Sequence, residues 1–154
     1  MNAGMIAKTP IAYLLSLAAT YVLSVGFYTQ QVIAKMAAVG AEYSGQQKID
    51  TFVENLTGLA YSEAGPSFLL ILTVTLAIAY IVAFVVKRII KPLASVAYPI
   101  AGAAGLVAVL MLVESSVAGG GAGVFGGARD ITGLALQALA GFLGGAVFTF
   151  ARPR

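Results

Sequence analysis

The chain has 154 residues, 60% of them apolar and 10% charged, with nine bases against six acids and neither cysteine nor histidine. A soluble domain of this length cannot hide that much hydrocarbon, so the chain is expected to use lipid as its solvent. The missing thiol and imidazole exclude disulfides, thiolate catalysis, histidine-ligated haem and the usual zinc or copper sites.

A helix needs roughly 20 apolar residues to cross a hydrocarbon core of about 30 Å, and four stretches are long enough. The first runs from about Pro10 to Ala34, with Thr9 as a cap and Pro10 as the opening helical residue. It is too long for a cleaved leader, although Val39-Gly40-Ala41 loosely resembles a cleavage site, and is expected as a retained anchor. Its second half carries Tyr21, Tyr28, Thr29, Gln30 and Gln31 and is expected to face protein or water.

The following segment, Lys35 to Gly65, is polar and contains its own pattern. Ser44-Gly45-Gln46-Gln47 has capping-box spacing, and Ile49, Phe52, Val53, Leu56, Leu59 and Ala60 then recur every three or four residues. This predicts a short amphipathic helix over 45–60, with Lys48, Asp50, Glu54 and Asn55 pointing away from the apolar face. Such a helix either lies over the bundle and in the headgroups or docks a partner protein.

The second span, about Pro66 to Val86, ends near Lys87, Arg88, Lys91 and Pro92, which predicts a short turn into a third span, Val96 to Ala118, capped by Ser95. In that span Ala97, Ala101, Gly105 and Ala108 fall near one line. Glu114 lies about one turn from its end. A glycine-rich stretch, 118–128, leads to Arg129, and a fourth span runs from Ile131 to Ala151 behind Asp130, a suitable helix cap. Gly133, Gln137, Gly141 and Gly145 are spaced by four along it, and small residues let helix backbones approach closely in lipid.

The charges sort by loop. Lys8, Lys87, Arg88, Lys91, Arg152 and Arg154 share one side with no acid among them. Lys35, Lys48, Arg129 and all six acids share the other. Positive loops stay in the cytoplasm, so both termini are expected there, in a bacterial inner membrane. Tyr13, Tyr98 and Tyr61 suit the two interfaces as anchors. No basic stripe interleaved with exposed aromatics remains to bind nucleic acid.

The expected architecture is therefore a single all-α domain over 1–154, an up-down bundle of four transmembrane helices with a fifth, external one. Gln137 needs a partner on another helix, because an unpaired amide in hydrocarbon is costly. Glu114 is expected to form a clamp with Arg129, to bind a proton, cation or small ligand, or to reach water. No serine-histidine pair, aspartyl dyad or metal-ligand set supplies catalysis, and no cofactor is expected. The expected function is that of a non-enzymatic scaffold or accessory subunit, in a homo-oligomer or a larger membrane complex. The alternative is a small transporter or ion channel with a polar path near Glu114, Arg129 and Gln137.

Overall fold

The computed structural model describes residues 3–61, 66–116 and 130–152, whose regular structure is entirely helical. These residues form α1 (Ala3–Ala38), α2 (Gly45–Gly58), α3 (Phe68–Ile89), a 3-10 turn (Lys91–Leu93), α4 (Ala97–Ser116) and α5 (Ile131–Ala151). By length and composition α1, α3, α4 and α5 could each cross a membrane, which points to an integral membrane protein. Large apolar side chains cover their outer faces, among them Leu14, Val22, Leu70, Ile78, Met111 and Phe142.

α1 does not start at Pro10. It is 36 residues long and carries Pro10 in its interior, because a proline removes a single backbone donor and long apolar helices absorb that loss. It ends at Gly40, whose φ of +89° suits only glycine. Gly40 N bonds Ala37 O at 3.0 Å and Ala41 N bonds Met36 O at 3.0 Å, a Schellman stop.

The other ends follow local chemistry. Ser67 caps α3 by accepting from Leu70 N at 3.2 Å, and Pro66 stands before the helix, not in it. The first bond of α4 is Ile100 N to Val96 O at 3.0 Å, which puts Val96 and not Ser95 at the cap. Pro99 falls in the first turn, where its missing N–H costs nothing. Spans two and three form the expected hairpin.

All four long helices are antiparallel to their neighbours. Tyr98 and Gly102 of α4 meet Gly145 and Gly141 of α5 in reversed order, as Ser16 and Ser24 of α1 meet Gly144 and Gln137. α5 packs along both α1 and α4, and α3 packs on α4, whereas α1 and α3 approach loosely. Aromatic side chains bridge that last seam. One end of the bundle, with Lys87, Arg88 and Arg152, is the basic end, and the other carries α2.

α2 has the expected capping box, Ser44 N to Gln47 Oε1 at 2.8 Å and Gln47 N to Ser44 Oγ at 3.3 Å. Its apolar side chains divide between the bundle and the outside. Phe52, Leu56, Leu59 and Ala60 pack against the core, but Ile49 and Val53 are 59% and 51% exposed. Asn55 turns inward, its Nδ2 donating to Thr29 Oγ1 at 3.0 Å. This bond ties α2 to α1, while Ile49 and Val53 stay outside.

Candidate functional site

Ser16, Thr20 and Ser24 of α1 are spaced by four residues and thus share one face. All three are fully or almost fully buried, at 0%, 0% and 1% exposure. Thr20 Oγ1 returns its proton to Ser16 O at 2.8 Å, the bond by which a helical hydroxyl satisfies itself. Ser16 and Ser24 reach across to other helices instead.

Ser16 Oγ donates to Gly144 O of α5 at 2.7 Å and lies 2.6 Å from Tyr80 Oη of α3. The serine has one proton, and Gly144 takes it. Tyr80 must then be the donor to Ser16, so one hydroxyl ties three helices together. Two turns further on, Ser24 Oγ donates to Gln137 Oε1, while Gln137 Nε2 donates to Ser24 O at 3.1 Å. Gln137 is buried at 4% exposure. Toward α2 the series continues with Thr29, bonded to Val25 O at 2.9 Å and to Asn55, and with Tyr21 Oη, which donates to Leu56 O at 2.5 Å. Among the described residues no buried side-chain nitrogen or oxygen lacks a partner.

The glycines of α5 serve two faces. A Cβ at Gly141 would collide with Gly102 O, and one at Gly145 with Tyr98 O, both in the α4 backbone. A Cβ at Gly144 would collide with Thr20 Oγ1 of α1. Gly133 is also buried. On α4 the glycine that meets α5 is Gly102. A Cβ at Gly105 would instead lie 3.1 Å from Ala79 Cβ of α3, and Ala101 is partly buried against the core. α4 lies between α3 and α5, so its small residues divide between two neighbours.

Of the expected polar site, Arg129 lies outside the described residues. Glu114 is exposed on α4. The antiparallel register puts Gln137 opposite the middle of α4, about two turns from Glu114, so the two occupy different levels. An ion pair near the α2 end joins Lys35 Nζ and Asp130 Oδ2 at 3.1 Å. Asp130 also caps α5, accepting from Gly133 N at 2.7 Å. That backbone bond, and then Lys35, hold the Asp130 carboxyl below its usual range.

A lowered carboxyl pKa in the folded state stabilises the fold above the ordinary value of 3.8, and the gain is lost as pH falls through the lowered value. Asp130→Asn keeps a capping oxygen but loses the charge. It should melt below the parent chain at neutral pH, and the gap should close on acidification past the ordinary carboxylate range. A gap of constant size would mean that the charge contributes nothing.

At the basic end, Arg152 Nη1 donates to Tyr98 Oη. Tyr98 is 4% exposed and Tyr13 Oη donates to Thr73 O at 2.5 Å. Both tyrosines are thus parts of helix contacts. Tyr80 stacks on Phe148, with ring centres 4.5 Å apart, and meets Tyr98 and Tyr13 edge-on.

The sequence reading found Gln137, Gly141 and Gly145 but missed Ser16, Thr20, Ser24, Tyr80, Gly102 and Gly144. The four-residue spacing of the three hydroxyls was the available signal. No protein-family model, curated protein or solved structure matches the chain.

Proposed function

We propose that this chain is a non-enzymatic membrane scaffold or accessory subunit, held in a bacterial inner membrane with both termini in the cytoplasm. One observation carries the reading: the buried polar side chains of the bundle spend their hydrogen bonds inside it, on one another or on backbone carbonyls. Ser16, Ser24, Tyr80 and Gln137 act as crosslinks between helices, and the close-packed glycines of α5 are committed to internal contacts. A bundle locked in this way is suited to holding a shape. The amphipathic α2 lies over it in the headgroup region of the external face, with Ile49 and Val53 turned to lipid.

Purification in mild detergent tests the proposal directly. The expected result is a stoichiometric complex, with another membrane subunit or with further copies of the chain. A chain that purifies without any such complex and carries proton or ion flux in liposomes would overturn it in favour of a transporter. Reporter fusions after Lys91 and near Gln47 check the orientation, and should read as cytoplasmic and external respectively.

A further inference from the structure

The basic end combines two features that the bundle itself does not use. The first is a cleft of about 460 Å³ in the loose seam between α1 and α3, walled by Pro10, Tyr13, Tyr80, Ile81, Phe84 and Phe148. The hydroxyls of Tyr13 and Tyr80 are occupied by Thr73 O and Ser16, so what lines the cleft is chiefly ring face and hydrocarbon. Ile81 at its edge is 66% exposed, on the outer face of α3. The second is an adjoining cleft of about 600 Å³, lined in part by Lys87, Ser95, Tyr98, Thr149 and Arg152. Tyr98 and Arg152 belong to both.

Among the described residues, no aspartate or glutamate side chain stands near these cations in the sequence. The segments 1–41, 64–113 and 131–154 contain no aspartate or glutamate. Lys87, Arg88 and Arg152 rest instead on aromatic faces. Arg88 Cζ lies 4.4 Å from the Phe84 ring centre, Lys87 Nζ 5.0 Å from that of Tyr98, and Arg152 Cζ 5.5 Å from the same ring. Ring quadrupoles orient a cation but do not neutralise it. Arginine and lysine beside the Ser95 hydroxyl supply the donors that a phosphate accepts.

We propose that this end binds an anionic phospholipid of the surrounding leaflet. Its phosphate sits against Lys87 and Arg152, with Ser95 as a further donor, and the start of one acyl chain lies in the aromatic cleft between α1 and α3. Charge complementarity selects the headgroup, and the adjoining apolar cleft selects an amphiphile over a free anion. The site rests on the reading of the four long helices as membrane spans.

The test is the thermal melt of the full chain in detergent with added phosphatidylglycerol, phosphatidylcholine or glycerol phosphate. Phosphatidylglycerol should raise the melting temperature by several degrees, the neutral lipid much less, and glycerol phosphate not at all. Salt should weaken the effect. Lys87→Gln with Arg88→Gln, which leaves the Arg152 to Tyr98 bond intact, should remove most of the difference between the two lipids. Ala77→Phe, a substitution in the cleft wall, should remove it with every charge retained. An equal response to both lipids, an undiminished difference in both variants, or a full response to glycerol phosphate would overturn the lipid site. Failure of the parent chain to insert into phosphatidylcholine vesicles would instead overturn the membrane reading.

Discussion

Replacing Gly141 or Gly145 with alanine should destabilise the bundle by about 1–3 kcal/mol, and leucine at either position by more. The obstacle at both sites is the α4 backbone, at Gly102 O and Tyr98 O, which cannot rotate away as a side chain can. The helices must separate, and they lose contacts along the whole seam. Leu143 faces outward at 38% exposure, so Leu143→Ala should be mild. Gly144 provides an internal control because its nearest obstacle is the Thr20 hydroxyl. Thr20→Ala should therefore partly rescue Gly144→Ala and leave Gly145→Ala uncorrected. Thermal melts in detergent separate these cases. Equal, small effects at all four positions of α5 would mean that it does not pack on α1 and α4 in this register.

Tyr80→Ala should cost about 3–5 kcal/mol, the usual range for removing a buried aromatic ring, while Tyr80→Phe should cost about 0.6 kcal/mol, as an average interhelical hydrogen bond in a membrane does. The ring stacks on Phe148 and contacts Tyr13 and Tyr98, so its loss opens the seam where α1 and α3 are least closely packed. The hydroxyl is worth less, because Ser16 keeps its bond to Gly144 O without it. Comparable losses from both substitutions would shift the weight from ring packing to the Tyr80–Ser16 bond.

Features that depend on a few neighbouring residues were legible in the sequence. The Ser44 and Gln47 capping box, the Asp130 cap and the α3 to α4 hairpin at Pro92 all stand as read. Pro10 and Ser95 misled because proline and serine are permissive signals: each fits a helix start, yet neither prevents the chain from beginning its helix elsewhere. On α2, Phe52 and Leu56 pack on the core while Ile49 and Val53, in the same period, stay exposed. The roll of a helix about its own axis answers to everything it touches, here including the Asn55 bond to Thr29.

By itself the sequence determined that there are four helices able to cross a membrane and roughly where each lies, because run length and apolarity act on each segment alone. It also placed Gln137 and the α5 glycines in helix contacts. Only the tertiary structure decided which residue answers each of them. Ser16, Thr20 and Ser24 are chemically alike and equally spaced, and any hydroxyl in a helix can return its proton to the carbonyl four residues back. Thr20 does so, whereas Ser16 and Ser24 bond across to α5. The difference arises from what α5 presents at each level: a glycine carbonyl at Gly144, an amide at Gln137. That correspondence is set by the antiparallel register of two segments more than 100 residues apart in the chain, and no pattern within either segment encodes it.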